Sequence, residues 1–231
     1  MRHFSILACV IVMGVMPCFA ETAKPFSDNR EIDLLQLLPP PPANTSQQTK
    51  AELAEILKLQ ATRTPQMIAH AQADVAEEVW QFADVLGPKL NKSKLPLVAA
   101  FFDRLGETEG AVVDPAKAYW KRPRPYVLDA RVKPVVKKSS SFAWPSGHAT
   151  IGTLMGIELA NMVPEKRAEL LARAWAYGNN RIIGGVHFRS DVEMGRISGT
   201  VIAARIKDHL DFKAEFEAAR VELRKALNLP I

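Results

Sequence analysis

Three short segments in the C-terminal half of the chain carry the side chains that phosphoryl chemistry needs. Together they supply three cations, a hydroxyl, a glycine amide, two histidines and a carboxylate, which can hold a phosphoryl group, attack it and protonate what leaves. Each segment alone is weak evidence, whereas all three in this order are strong evidence. The segments are Lys117-x6-Arg124-Pro125, Pro145-Ser146-Gly147-His148 and Arg181-x5-His187-x3-Asp191.

The first segment is basic and, taken alone, is typical of a solvated turn. Lys117 and Arg124 lie seven residues apart, which makes them near neighbours on one face if a helix continues through them. Pro123 and Pro125 favour a helix end here, because the residue before a proline is pushed out of helical geometry. Arginine offers a planar fork to two phosphate oxygens, and lysine adds a compact charge. Arg122 also precedes a proline, so which arginine binds an anion stays open, although only Arg124 has a lysine seven residues earlier.

The second segment precedes an apolar stretch that reads as a helix. Ser146 is a good helix cap, and Gly147 lets the backbone approach a ligand closely. The helix start would direct free amides and the positive end of the dipole at an anion. A Ser-Gly pair at a helix start is structural in most proteins, but the adjacent His148, which can protonate a leaving oxygen, favours a phosphate cradle.

The third segment offers an oriented nucleophile. His187 and Asp191 are spaced four residues apart, so on a helix they share a face. The carboxylate can accept the Nδ1 hydrogen and leave Nε2 free to attack, although a lone pair of this kind is usually a surface pair. Gly184 and Gly185 indicate a loop that could bring the Arg181 guanidinium to the same anion.

Apolar residues at spacings of three and four predict an all-α fold, a single-domain bundle of seven to nine helices, and we find no strand pattern or internal repeat. Gly106 and Gly110 are expected to bracket a loop. Asp103 with Glu107 or Glu109 could suggest a metal site, but a solvated helix end fits them better. The predicted helices are one after Thr45-Ser46, followed by 65–86, 95–105, 150–162, 165–177, 190–209 and 212–227.

The N-terminus has the features of an exported protein. A basic start and an apolar run from Phe4 to Met16 precede a plausible cleavage site after Ala20, as in a signal peptide, with an uncleaved anchor as the alternative. Both cysteines, Cys9 and Cys18, fall in this leader. The mature chain would then have no disulfide, thiolate nucleophile or zinc-thiolate site, which fits a bacterial periplasm.

Length and charge exclude some function classes. The 231 residues less 20 leave 211, which suits one domain, and the net charge falls from +5 to +4. Without a long basic block, this excess does not indicate nucleic-acid binding. No later apolar run is long enough for stable membrane insertion. We expect a signal peptide at 1–20, an extended arm with four prolines at 21–45 and a helical domain at 46–231.

The three motifs together resemble the signature of the phosphatidic acid phosphatase type 2 superfamily. The leader, the size and the segment Leu37-Leu38-Pro39-Pro40-Pro41-Pro42-Ala43 are similar to its soluble branch, the bacterial class A non-specific acid phosphatases. The resemblance covers nearly the whole mature chain, from about Leu34 to His209. One departure is Asn180, where the pattern has serine before Arg181, and asparagine can also form hydrogen bonds there.

The resemblance implies an exported acid phosphatase that hydrolyses phosphate monoesters with broad specificity, without a metal or other cofactor. His187 would be the nucleophile that forms a phosphohistidine, Asp191 its orienting partner and His148 the acid. Phosphate or vanadate would inhibit, while transfer to an alcohol and a homodimer are left open. The residues expected to bind the phosphoryl group are Lys117, Arg124, Ser146, Gly147 and Arg181.

Three other functions fit parts of the pattern. A vanadium-dependent haloperoxidase shares the motifs, because vanadate imitates the phosphoryl transition state, and His187 would then ligate vanadium. A lipid or isoprenoid phosphate phosphatase of the same superfamily usually has spanning helices. A phosphate-binding protein without turnover would need no nucleophile or acid. Phe142 and Trp144 are expected either to flank the leaving group or to pack in the core.

Overall fold

The computed structural model describes residues 24–231, and the predicted leader at 1–20 lies outside them. Within the described residues the chain is all-α and has no β-strand, as the sequence predicted. Three short 3₁₀ turns lie at Val79–Phe82, Lys92–Lys94 and Pro164–Lys166. The α-helices are α1 (Leu34–Leu37), α2 (Gln47–Thr62), α3 (Pro65–Ala73), α4 (Ala83–Leu86), α5 (Pro96–Trp120), α6 (Pro125–Leu128), α7 (Gly147–Met162), α8 (Arg167–Ile183), α9 (Arg189–Ile206) and α10 (Leu210–Leu227).

Helix α7 is the centre of the bundle and is apolar on nearly every side. It packs against α8, α9 and α5, and most of its residues are buried. Helix α9 approaches it closely because of two glycines: a Cβ on Gly195 would lie 2.5 Å from the Ser146 carbonyl oxygen, and one on Gly199 would lie 2.5 Å from that of Thr150. This contact packs the first turn of α7, which carries the second motif, against the part of α9 that follows Asp191 of the third motif.

Helix α5 is much longer than the predicted 95–105 segment. It continues through Gly106 and Gly110 as far as Trp120, so the loop predicted at these glycines is wrong. Each glycine costs about 1 kcal/mol relative to alanine in a helix. Burial of the stripe that continues with Val112, Val113 and Ala116 outweighs this cost. The helix ends where Lys121 turns left-handed (φ 50°), before the prolines.

The predicted continuous helix over 65–86 is also wrong. Helix α3 ends at Ala73, and Asp74 turns inward to bind Arg173 and Asn180 of α8. Asp74 is the C-cap of α3, and the chain stays non-helical until the 3₁₀ turn at Val79–Phe82. The break places Val75 and Glu77 beside the start of α7.

The N-terminal arm contributes to the core. Ile32, Leu34 and Leu38 are buried, and Phe26 contacts the rings of Phe101 and Phe212. The prolines that follow Leu38 are in non-helical chain, as four successive prolines require. None of the helices described in residues 24–231 combines the length and the apolar character that crossing a bilayer requires.

Candidate active site

A cleft of about 290 Å³ lies where α5, α7, α8 and the start of α9 meet. Its size suits a phosphoryl group with part of a leaving group rather than a large ligand, since drug-sized pockets begin at about 300 Å³. Its wall is unusually polar and holds both acids and bases. The lining residues are Glu77, Glu109, Asp114, Lys117, Arg124, Ser139, Ser141, Gly147, His148, Arg181 and His187.

His187 and Asp191 meet across the start of α9 and not along one helical face. His187 precedes the helix, whereas Asp191 lies in its first turn. The Nδ1 atom of His187 lies 3.2 Å from Oδ2 of Asp191, and the same oxygen accepts the Phe188 amide hydrogen at 2.8 Å. Asp191 therefore fixes the helix start and the orientation of the imidazole together.

The environment of His187 favours the neutral ring. Burial lowers its pKa well below the usual value, and the nearby charges of Arg124, Arg181, Lys117 and His148 lower it further. With Nδ1 donating to Asp191, Nε2 carries the lone pair. That atom lies 2.9 Å from Nη1 of Arg124, a donor, which is consistent with this tautomer.

Arg122 lies behind Asp191 and not in the cleft. It is fully buried, with Nη1 2.5 Å from Oδ1 of Asp191 and Nη2 3.2 Å from Glu52. Ser190 joins this network through hydrogen bonds to Arg122 and Glu52. Burial raises the pKa of Asp191, and the Arg122 cation and the Phe188 amide oppose that rise. The role of Arg122 is to hold Asp191, whereas Arg124 is the arginine that lines the cleft.

Arg124 connects the loop after α6 to Val186, the residue before His187. Its guanidinium donates to the Ser141 carbonyl at 2.8 Å, to the Ser141 hydroxyl at 3.0 Å and to the Val186 carbonyl at 3.0 Å. Burial lowers the pKa of the Arg124 guanidinium below its usual high value. Its fork is thereby held in one plane at the cleft wall.

Arg181 supplies buried donors that lack acceptors. It lies in the last turn of α8, not in the loop predicted from Gly184-Gly185, and is 4% exposed. Its Nε and Nη1 atoms have no hydrogen-bond partner among residues 24–231. Such donors are costly to bury unless a ligand satisfies them. Lys117 adds a third cation from the last turn of α5, with Nζ 3.6 Å from Asp114.

At the start of α7, Ser146 caps the helix and its neighbour Gly147 lines the cleft. Ser146 is the N-cap, is fully buried and accepts the Ala149 amide hydrogen at 3.3 Å, and it does not line the cleft. A direct contact of its hydroxyl with phosphate stays a prediction. Gly147 does line the cleft, and a Cβ there would lie 2.9 Å from both Glu109 Oε1 and Lys117 Nζ.

His148 lines the cleft, but both of its ring nitrogens are engaged. Nδ1 lies 2.7 Å from a carboxylate oxygen of Glu77, and Nε2 lies 3.1 Å from the Val75 carbonyl oxygen. Both partners are acceptors, so the contacts fit a ring that donates from both nitrogens. Burial raises the pKa of Glu77, but the hydrogen bond from His148 and the cations around the cleft lower it overall.

Sequence reasoning missed three acids in the cleft. Glu77 lies in the predicted 65–86 helix, and Asp114 was not singled out. The prediction that Glu109 lies at a solvated helix end is wrong, because it is 8% exposed and faces Gly147. The sequence could have indicated this position of Glu109 through its spacing of eight residues from Lys117, but only if α5 were known to be continuous. No group of three or more histidine, cysteine or acidic side chains with metal-binding geometry occurs in residues 24–231.

Three further residues have structural contacts. Trp144 is buried against Trp120, and Phe142 is partly exposed, and neither lines the cleft. Asn180, which departs from the motif, donates to Asp74 at 2.7 Å and so connects α8 to the end of α3.

Comparison with known proteins identifies the family. The family model of the PAP2 superfamily matches residues 107–211, a range that contains all three motifs. A non-specific acid phosphatase of Salmonella typhimurium is 32% identical over 222 residues, covering 91% of this chain and 88% of that protein. The chain belongs to the PAP2 superfamily.

Other relatives place this PAP2 protein in the acid phosphatase branch, as the resemblance of the leader, the size and the proline segment predicted. An acid phosphatase of Zymomonas mobilis subsp. mobilis is 31% identical over 202 residues, covering 84% of this chain and 76% of that protein. A solved structure of a bacterial vanadium-dependent iodoperoxidase shares the fold, with a TM-score of 0.59 at 18% identity. That match covers 74% of this chain and 52% of the other, so the chain spans about half of that structure's length.

Proposed function

We propose that this protein hydrolyses phosphate monoesters with broad specificity, without a metal ion, through a phosphohistidine on His187. The observation that carries the proposal is the pairing of a neutral, oriented imidazole with buried Arg181 donors that lack acceptors, both on one cleft wall. A phosphoryl group satisfies these donors and presents its phosphorus to Nε2. The acid phosphatase relatives support the same chemistry.

In the first step, Nε2 of His187 attacks phosphorus in line. The Nε2–P bond forms, the bond from phosphorus to the ester oxygen breaks, and His148 protonates the leaving oxygen. Arg124, whose Nη1 contacts Nε2 before substrate binds, donates instead to a phosphoryl oxygen. Asp191 accepts the Nδ1 hydrogen throughout and so stabilises the positive charge on the phosphorylated ring.

In the second step, water attacks the phosphohistidine and His148 accepts its proton. The Nε2–P bond breaks, and phosphate leaves the cleft. His148 needs one ring nitrogen for these transfers. The ester oxygen therefore replaces the Val75 carbonyl oxygen as the partner of Nε2, while Glu77 keeps its contact with Nδ1.

Three cations take the part that metal ions play in many other phosphatases. Lys117, Arg124 and Arg181 face the same cleft and stabilise charge on the equatorial oxygens. We expect broad specificity because the cations of the cleft bind the phosphoryl group, which all phosphate monoesters share, and not the leaving group. Inorganic phosphate and vanadate are expected to compete for the site.

The biological setting is part of the proposal. The leader predicted at 1–20 directs the enzyme to the periplasm, where it acts on small phosphomonoesters and has no nucleic-acid or membrane partner. A phosphotransferase side reaction, in which an alcohol replaces water, follows from the two-step mechanism.

The test is hydrolysis of p-nitrophenyl phosphate at pH 6 by the mature protein, with and without EDTA. We expect turnover that resists EDTA and is lost in His187→Ala, together with a ³²P-labelled phosphoenzyme that this variant does not form. His70→Ala is the matched control, because His70 is an exposed histidine on α3. A phosphoenzyme that persists in His187→Ala would point to another nucleophile, and inactive native protein would lead to a bromide-oxidation assay with vanadate.

A further inference from the structure

Glu109 is a buried carboxyl group beside the proposed phosphoryl site, and the mechanism above does not use it. It lies on α5, eight residues before Lys117, and lines the cleft. Its Oε1 atom has no hydrogen-bond partner among residues 24–231. Oε1 and Lys117 Nζ would both lie 2.9 Å from a Cβ on Gly147, so the two groups flank the same point at the start of α7.

An ionised Glu109 would conflict with an anion at this point. The phosphoryl group must approach the α7 amides and Lys117, and a carboxylate at the same place would repel it through a dry, poorly screening environment. A protonated carboxyl group has the opposite effect. Its hydroxyl is a donor that needs an acceptor, and phosphoryl oxygens are acceptors.

The surrounding charges favour the protonated form. Burial, together with the negative charges of Glu77 and Asp114, raises the pKa of Glu109 to about 8, and Lys117 opposes the rise. Asp114 and Lys117 belong to the same helix, while Glu77 faces from the segment after α3. The other charged or titratable groups on the cleft wall are His148 from α7, Arg181 from α8, and Arg124 and His187.

We propose that Glu109, in its protonated form, donates a hydrogen bond to a phosphoryl oxygen, and that its ionisation expels the anion and sets the alkaline limit of the enzyme. This inference rests on the proposed phosphoryl site. It makes Glu109 a binding residue that also confers pH dependence: the proton is released to solvent when the pH rises, and it is taken up again when an anion binds.

Sulfate is the probe of choice, because it is a tetrahedral dianion with no titration of its own between pH 5 and 9. We expect its affinity for the native protein to fall about tenfold between pH 7 and pH 9, as one ionisation near pH 8 requires. Measurements stop at pH 9, because burial lowers the pKa of Arg181 to about 10. An affinity that is constant from pH 7 to 9 would overturn the proposal without any variant.

Glu109→Gln supplies a neutral donor of the same shape. We expect it to bind sulfate within about threefold of the native protein at pH 7 and to lose most of the fall toward pH 9. Calorimetry at pH 8 in two buffers of different ionisation enthalpy should show proton uptake on sulfate binding by the native protein and less uptake by the variant. Glu107→Gln is the matched control, because Glu107 is exposed on the same helix. Equal uptake in Glu109→Gln and the native protein would refute the assignment.

Kinetics distinguish the failure of this inference from the failure of the proposed function. For hydrolysis of p-nitrophenyl phosphate, we expect the alkaline limb of kcat/KM to move up by at least about one pH unit in Glu109→Gln and to stay in place in Glu107→Gln. An unmoved limb in an active Glu109→Gln enzyme would overturn the role of Glu109 alone. Native protein that binds sulfate but hydrolyses nothing would refute the phosphatase proposal, and the sulfate experiments would still decide the role of Glu109.

Discussion

The carboxylate of Asp191 holds the imidazole of His187 at 3.2 Å while it also accepts the Phe188 amide hydrogen that begins α9. One side chain thus serves as helix cap and as orienting group. Its other oxygen is held by Arg122 at 2.5 Å, so the carboxylate can rotate little. The position of the His187 ring is therefore determined by buried contacts.

Asp191→Asn should keep much of the geometry but lose the preference for the correct tautomer. We expect kcat to fall by about 10²–10⁴-fold, since an amide can donate to Nδ1 and so leave the hydrogen on Nε2. Rapid-quench measurement of phosphoenzyme formation would locate the loss in the first step. Asp103→Asn, an exposed change on α5, is the control and should retain native kinetics. Normal phosphoenzyme formation in Asp191→Asn would show that Asp191 does not orient the nucleophile.

His187 should remain neutral at pH values where an ordinary histidine is charged. Burial and four nearby cationic groups lower its pKa well below 6.5, so the neutral, reactive form is present at every pH above that lowered value. We expect NMR titration of the free enzyme to show no protonation of His187 between pH 8 and pH 6. The His187→Ala spectrum assigns the signal. A midpoint at or above 6.5 would contradict the buried, cation-rich site.

Gly147→Ala should reduce phosphate binding by crowding the anion site. The new methyl group would lie 2.9 Å from Glu109 Oε1 and from Lys117 Nζ, so one of these must move. We expect inhibition by inorganic phosphate to weaken by at least about tenfold, corresponding to ~1.4 kcal/mol. Gly106→Ala is the matched change, since its Cβ would meet nothing within 4 Å, and it should stabilise α5 by about 0.5–1 kcal/mol. Equal inhibition in the two variants would argue against an anion at the start of α7.

Arg122→Met should destabilise the fold. The substitution leaves Asp191 and Glu52 buried without their cation, and breaking a buried pair in this way costs about 3–5 kcal/mol. We expect Tm to fall by on the order of 10 °C. Arg131→Met removes an exposed pair with Asp129 and should change the unfolding free energy by less than about 1 kcal/mol. If Arg122→Met matched that control, the network would not hold the site.

Glu158→Gln should remove a pH-dependent cost from the fold. Burial raises the pKa of this α7 carboxyl to about 7, whereas the unfolded chain ionises near 4.5. Between these values the native state binds the extra proton, so native stability falls as pH rises from 4.5 to 7 and then levels off. We expect the free energy of unfolding of the variant, measured relative to that of the native protein, to be about 1–3 kcal/mol higher at pH 8 than at pH 4. Denaturant unfolding at both values tests this, and parallel changes in the two proteins would show that Glu158 is not the titrating group.

Much of the site could be read from local sequence. Seven of the eight predicted site residues line the cleft or, like Asp191, contact a residue that does, and Ser146 instead caps the helix that presents its neighbour. Helix type and the cap at Ser146 depend on side chains within one turn, so spacing reveals them. The assignment at 65–86 was wrong because Asp74 pairs with Arg173 and Asn180 of the distant helix α8. The assignment at 95–105 was wrong because burial of the apolar stripe carries α5 through Gly106 and Gly110.

The sequence by itself determined which groups can do phosphoryl chemistry, because residue type and short spacing specify them directly. Only the tertiary structure decided that Arg122 holds Asp191 while Arg124 faces the cleft, although the two differ by two positions in the chain. It alone placed Glu77 on His148 and buried Glu109 beside Gly147. The reason is physical: protonation and pairing depend on desolvation and on charges that folding brings within a few ångströms, and neither can be read from neighbours along the chain.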